Sequence, residues 1–394
     1  MIYRKLKATG LFTGHSMLNE SAVLIISADG EVLDLLETDE AGEGVETFRG
    51  ILCPGLVNCH CHLELSHLKG LIPEKTGLVD FVFTVITQRH FPETEIYDAI
   101  SQAEDNMLAN GVVAVGDICN NLLTIPQKQR QRLSYYNFVE VSGWMPQLAE
   151  ARFQRSRSYY EVFEQLPIVG DQCSLSPHAP YSVSDELWDL MRPYFGKKTV
   201  TIHNQETVWE DELFRHGTGD ANRMYQMMKF ENPLFRPSGK SSLQTYLSRM
   251  QESKNILLVH NTFTTRDDVI WAGASALGQQ LFFCLCPNAN LYIETSLPPI
   301  ELFREQQCRL VLGTDSLASN HRLDILEEIK TIHRHYPQVP LEEMLQWATI
   351  NGAEALQLDD RLGSFNKRKK PGVILIENTD GMRLTEASRV RKII

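Results

Sequence analysis

The chain has 394 residues, 43% of them hydrophobic and 22% charged, with 38 basic against 50 acidic side chains and a formal net charge of −12. This describes one large globular domain, or a large one with a small companion, and the acidic balance argues against a nucleic-acid polymer as partner. There is no apolar run near the ~18 residues of a spanning helix and no N-terminal apolar core of signal-peptide length; eight cysteines in so long a chain do not make a disulfide framework, so a reduced, cytoplasmic setting without a membrane partner is expected.

In chain order, "AVLIISADGEVLDLL" predicts two strands around Ala28-Asp29-Gly30. The C-terminal "PGVILIEN" and "MRLTEASRVRKII" are β-rich too. The two ends are expected to pair as a small β-sandwich domain, residues 1–54 and 351–394, beside a catalytic domain of residues 55–350. Within the latter, short β-branched runs alternate with helical patterns: 55–60, 111–117, 135–141, 172–178, 198–203, 255–260, 281–288 and 309–315. Segments 97–110 and 323–336 carry the i, i+3/i+4 apolar spacing of helices. Eight strands alternating with helices suit an α/β fold, a closed (β/α)8 TIM barrel.

Each run ends on a polar residue: His60, Asp117, Glu140, His178, His203, His260, Asn288 and Asp315. Barrel enzymes carry their chemistry at these C-terminal strand ends. The first run leads into "LVNCHCHLELSH", residues 56–67. On a strand, side chains alternate faces, which sets His60 and His62 on one side and Cys59 and Cys61 on the other. The competing reading is a zinc knot of all four, but a Cys-rich site uses C-x2-C pairs and the chain has none. Two imidazoles at i and i+2 grip an ion from one side, and a catalytic zinc site takes about three protein ligands plus a position for water. His203, His260 and Asp315 at other strand ends are candidates for the remainder, with Glu206 three residues beyond His203. A carboxylate there equally suits a helix start. His67, His90, His333 and His335 read as structural.

These residues carry a resemblance. "PGLVNCHCHLE", "SLSPHAPYSVS", "IHNQET", "LVHNTFT", "LCPNANLY", "GTDSLASN" and the late "GSFNKRKKPGVILIEN" resemble, in order and spacing, the amidohydrolase superfamily, in its cytosine deaminase and chlorohydrolase-like branch. The likeness spans nearly the whole chain. It implies that His60, His62, His203 and Asp315 are metal ligands, that His260 sits beside the activated water, that Glu206 is the proton shuttle and that His178 meets the substrate ring. Two-metal members bridge their ions with a lysine on the fourth strand. That strand here, "QCSLSPH", has none, which implies a single divalent ion: zinc, with iron or manganese compatible with His3Asp ligation. Asp117 and Glu140 suit partners that hold ligand imidazoles in one tautomer.

The implied reaction is hydrolytic deamination: a metal-activated hydroxide attacks an aminated ring carbon and ammonia leaves. "HLELS", "SPHAPYSVS" and "ETVWEDELFRHGTG" are most similar to the aminofutalosine- and adenosine-type deaminases, which implies an aminopurine or an aminopurine nucleoside as the small-molecule substrate. Dechlorination, guanine-type deamination and cyclic-amide hydrolysis are alternatives within the superfamily, and a non-catalytic assembly protein is a more distant one. Glu64 is a candidate for ribose hydroxyls or a salt-bridged strand-end residue. Arg152, with Arg155 and Arg157, is a candidate for a substrate carboxylate or phosphate. Residues 204–254 form a long insertion that suits a lid or a homodimer contact.

Overall fold

The computed structural model describes residues 2–166, 168, 172–229, 232, 235–276 and 280–394. The N-terminal part supplies β1 (Tyr3–Phe12), β2 (Met17–Leu18), β3 (Ala22–Ser27), β4 (Val32–Glu37) and β5 (Val45–Pro54). Eight strands follow: β6 (Leu56–Cys61), β7 (Val112–Cys119), β8 (Ser134–Val141), β9 (Gln172–Pro177), β10 (Thr199–Asn204), β11 (Asn255–His260), β12 (Gln280–Leu285) and β13 (Arg309–Leu312). The chain ends with β14 (Val373–Glu377) and β15 (Arg389–Lys392).

The two ends of the chain meet in one seven-stranded sheet of order β15-β14-β5-β1-β3-β4, with β2 on β1. β3 and β4 form the expected antiparallel pair, and β14 runs antiparallel to β5. Leu6, Leu24, Leu52 and Leu375, from four of these strands, share one buried cluster, which ties residues more than 300 positions apart into a common core.

The middle strands form two parallel sheets, β6-β7-β8-β9 and β10-β11-β12-β13. Backbone bonds link them: Thr314 N and Asp315 N each donate to His60 O at 3.0 Å, and His203 N donates to His178 O at 2.9 Å. These strands are buried on both faces, so they read as near-continuous apolar runs rather than alternating ones. In β11, Leu257 and Val259 pack with Phe282 and Cys284 of β12 and Val57 and Cys59 of β6, while Ile256 and Leu258 join the cluster under the helices. The helix Ile350–Ala355 closes one end of the inner cluster. A Cβ added at Gly352 would stand 2.9 Å from Val57 Cβ, so that helix seats only with glycine there.

The predicted helices appear as Glu93–Ala109 and Ile325–His335. The second is capped by Asp324, which accepts from Leu326 N at 2.9 Å. The seventh strand is shorter than expected. It ends at Leu285, because Pro287 opens the helix Pro287–Glu294 at a position where its missing N–H costs nothing. Asn288 therefore sits in a helix and spends its side chain on Glu328 and Thr331 instead of facing the strand ends. The insertion carries helices Val208–His216, Ala221–Met227 and Ser242–Tyr246; its residues 230, 231, 233 and 234 lie outside the described residues. Among the described residues no helix is long and apolar enough to cross a membrane.

Candidate active site

The alternation expected across 59–62 does not hold, and a β-bulge is the reason. Asn58 pairs with Val115 but Cys61 pairs with Asp117, so β6 spends three steps where β7 spends two. The extra residue turns the strand. Cys59 faces the inner cluster with Val57, Cys61 lies among Leu63, Ile100 and Met107 under the helices, and His60 and His62 still meet, their ring centroids 4.9 Å apart. Asn58 clamps the bulge to the chain after β13: its Nδ2 donates to Thr314 Oγ1 at 2.8 Å and its Oδ1 accepts from Thr314 N at 3.1 Å. Gly313 completes this close approach, since a Cβ there would stand 2.7 Å from His60 Cβ.

One ligating nitrogen from each of His60, His62 and His203 lies within 4.8 Å of the others. Asp315 Oδ1 stands 3.5 Å from His60 Nε2 and 3.4 Å from His62 Nε2. Four residues distant in the chain thus converge. Both ring nitrogens of His60 and Nδ1 of His62 are buried without a hydrogen-bond partner. Burying such groups unpaired is costly, and a cation among them removes the cost. His203 Nδ1 donates to His178 O at 2.7 Å, which leaves its Nε2 lone pair for a ligand. Burial, reinforced by the neighbouring imidazoles, pushes His203 down to about 3 and His178 down to about 4, so both rings are neutral donors of lone pairs. Burial by itself would raise Asp315; the imidazoles of His60, His62 and His260 beside it outweigh that and hold it well below the carboxylate range. Ser319 Oγ donates to Asp315 Oδ2 at 2.5 Å and fixes the carboxylate plane. Three imidazoles and one carboxylate fit a divalent ion.

His260 and Glu206 complete the cluster. His260 stacks on His203 at 5.5 Å between centroids, and its Nε2 is 3.5 Å from Glu206 Oε1. Its Nδ1 meets the side chain of Asn290 at 3.3 Å. Burial, then the charges of Asp315, Glu294 and Glu210, raise Glu206 well above the ordinary carboxylate range. Gln205, His260, Asn261 and Asp315 all have positive φ, between 44° and 73°. Left-handed backbone at non-glycine residues is strained and collects at functional strand ends. The loops pay for it with hydrogen bonds: Gln205 Nε2 donates to Asp268 at 3.0 Å, and Asn204 Nδ2 to Asn261 Oδ1 at 3.0 Å.

Glu210 braces this loop, accepting from Gln205 N at 2.9 Å and from Ser242 Oγ. Burial pushes it from 4.5 up to about 8, so the folded chain keeps a proton that the unfolded chain releases. That contribution to stability is complete below about 4.5 and is lost as pH rises through about 8. At matched metal content, Glu210→Gln should therefore flatten the fall in Tm between ~pH 5 and ~pH 9; calorimetric scans with parallel slopes for variant and wild type would contradict this.

The remaining predicted residues separate. His178 lines the same cavity of about 190 Å³ as His62, His203, Glu206, His260 and Asp315, and its ring is 4.9 Å from that of His203. Glu64 and Arg152 do not reach it; they line a larger adjoining chamber of about 850 Å³ with Arg155 and Lys229. Met224 and Met228 of the insertion line the inner cavity, so the insertion covers the site. Asp117 holds no imidazole. Its Oδ1 accepts from Leu63 N at 2.9 Å, directly after His62, and its Oδ2 pairs at 2.5 Å with Lys128. Lys128 is fully buried, with Asn137 Oδ1 at 2.8 Å and the Tyr135 ring at 4.9 Å. Sequence reasoning missed Lys128, Asn290, Ser319 and Arg89. Ser319 and Asn290 stand inside quoted motifs, so proximity to the ligands was available as a signal; Lys128 sits in "IPQKQR", which reads as a solvated turn.

A set of three imidazoles, a carboxylate and a second acid at the ends of parallel strands defines a hydrolase centre built to activate water. The amidohydrolase family matches residues 51–390, and the chain belongs to it, as a hydrolase of non-peptide C–N bonds. The 5-methylthioadenosine/S-adenosylhomocysteine deaminase of Teredinibacter turnerae is 25% identical over 388 residues, covering 93% of this chain and 81% of the relative. The crystal structure of Helicobacter pylori aminofutalosine deaminase with methylthio-coformycin superposes with a TM-score of 0.80 at 20% identity, covering 97% of this chain and 93% of that one. An adenosine deaminase of Xanthomonas campestris with bound zinc superposes at 0.70 and 19% identity, covering 95% and 85%.

Proposed function

We propose that this protein deaminates an aminopurine or an aminopurine nucleoside, releasing ammonia, with one divalent ion, zinc by preference, held by His60, His62, His203 and Asp315. The convergence of the three histidine nitrogens beside Asp315 carries the reading. The similar deaminases named above supply the substrate class, and the zinc of the X. campestris structure supports the metal. When bound, the ion supplies Lewis acidity that makes water nucleophilic near neutral pH. Asp315 takes the proton of the attacking water. Glu206, whose protonated form burial favours, protonates a ring nitrogen so that the aminated carbon accepts the nucleophile; it regains a proton from the new hydroxyl as the carbonyl forms, and the proton held by Asp315 leaves with the amine. His260, 3.5 Å from Glu206, orients the water and supports charge on its oxygen. His178 holds the ring edge.

The fold that accompanies this reading is a (β/α)8 barrel of residues 55–350 with a β-sandwich of residues 1–54 and 351–394. The paired parallel sheets, the backbone bonds between them and the shared core of the terminal strands support it. Eight free cysteines support a reducing, cytoplasmic setting. In the outer chamber Arg152, flanked by Arg155 and Lys229, suits an anionic group at the far end of the substrate, and Glu64 stands nearby, paired with Arg89.

Ammonia release is the test, across aminopurines, their nucleosides and triazines, with zinc-, iron- and manganese-loaded protein. Ammonia from an aminopurine or its nucleoside is expected; activity confined to chlorotriazines or cyclic amides would replace this reading. His203→Ala should lose most of its bound metal by elemental analysis, and retention of a full equivalent would remove His203 from the ligand set.

A further inference from the structure

Glu140, next to the end of β8, has no role in the chemistry above. It is 9% exposed and lines the inner cavity. One ligating atom of Glu140 lies within 4.8 Å of ring nitrogens of both His178 and His203, yet it orients neither ring. His203 Nδ1 is taken by the His178 carbonyl at 2.7 Å and His178 Nδ1 by Ser182 Oγ at 2.8 Å. The Asn120 side chain stands against the carboxyl group, but Oε2 is buried without a hydrogen-bond partner.

Glu64 makes the contrast. Its Oε1 accepts from Arg89 Nη2 at 3.0 Å and its Oε2 from Asn120 N at 2.9 Å, and it faces the outer chamber. Of the two acids on this wall, the one that lines the reacting cavity and keeps an oxygen without a partner is Glu140. Its position along the substrate path is also defined. Arg89, Asn120, Ser142 and Trp144 line both cavities, whereas Glu140, beside Asn120 and two residues before Ser142, lines the inner one alone, so it stands on the inner side of the junction. With the aminated carbon at Glu206, His260 and Asp315, the inner cavity takes the ring. The next group outward, at the junction, is whatever the ring carries.

We propose that Glu140 is a specificity-determining residue that hydrogen-bonds a hydroxyl of the sugar attached to the substrate ring, so that the enzyme selects hydroxylated nucleosides over free bases and deoxynucleosides. The proposal rests on the deaminase reading and chooses between its two substrate classes. A hydroxyl is donor and acceptor at once, so it complements a carboxyl group in either charge state. A substrate without it leaves a desolvated polar atom unpaired, a discrimination of about 10- to 100-fold for one such contact.

The experiment compares wild type, Glu140→Ala and Glu140→Gln, at matched metal content, on adenosine, 2′-deoxyadenosine, 3′-deoxyadenosine and adenine. The wild type should prefer adenosine over at least one deoxy analogue by about 10- to 100-fold in kcat/KM, and Glu140→Ala should lose about that factor more on adenosine than on that analogue. Glu140→Gln, which preserves volume and an acceptor oxygen, should keep part of the preference. Equal losses on all four compounds, or a preference that survives in Glu140→Ala, overturns the proposal. If the wild type releases ammonia from none of the four, the deaminase reading falls. Calorimetric binding of the same compounds to wild type and Glu140→Ala then still reads the contact, and a wild type without a binding preference for the hydroxyl overturns it.

Discussion

Glu206→Gln should keep its full equivalent of metal and lose turnover by about 10²–10⁴-fold, the usual worth of one positioned acid or base. The substitution preserves shape and removes only the exchangeable carboxyl proton. The surroundings are built to hold that side chain still: Gln205, at φ 44°, is pinned through Nε2 to Asp268 at 3.0 Å and to Asp211 at 3.2 Å, and its N–H to Glu210 at 2.9 Å. A glutamine should therefore occupy the same place beside His260. The loss should fall on kcat, because the proton is needed in the transition state rather than for binding. Turnover within a few-fold of wild type, with metal in place, would show that another group carries the proton.

Lys128→Met should produce the largest loss of stability, about 3–5 kcal/mol, since removing one partner of a buried ion pair strands the other charge. Asp117 would be left with Leu63 N–H as its remaining strong donor. The consequence reaches the metal, because Asp117 sets the backbone immediately after His62: weaker metal retention should accompany the lower denaturation midpoint. Asp117→Asn combined with Lys128→Met should recover part of the stability, since both charges are then gone. Chemical denaturation of the four proteins in a double-mutant cycle measures the coupling; a single-variant cost below about 1 kcal/mol would place the pair with ordinary surface ion pairs.

The eight parallel strands and the pairing of His60 with His62 were legible in the residues themselves, which left His203, His260 and Asp315 as candidates to join them; the resemblance narrowed these to a set. Buried parallel strands need continuous apolar runs, and a strand end that faces a site announces itself by one polar residue after such a run. Those are local signals, carried by a few neighbouring positions. The resemblance to a known family then supplied roles that spacing leaves open.

What the residues could not show depends on partners far away in the chain. The bulge in β6 arises from its register with β7 and from the clamp between Asn58 and Thr314, 256 positions later, so strict alternation misplaced Cys59. Lys128 looks like any turn lysine until Asp117 and Asn137 close over it. Glu64 and Glu140 are indistinguishable as acids near strand ends; only the packing of Arg89 and Asn120 decides which one is spent and which faces the cavity. Local pattern determined the elements and the candidate ligands, because alternation, capping and apolar runs act over a few residues. Register, burial of charge and the direction of each carboxylate were decided by tertiary contact, because their energies depend on which distant group arrives to pair with them.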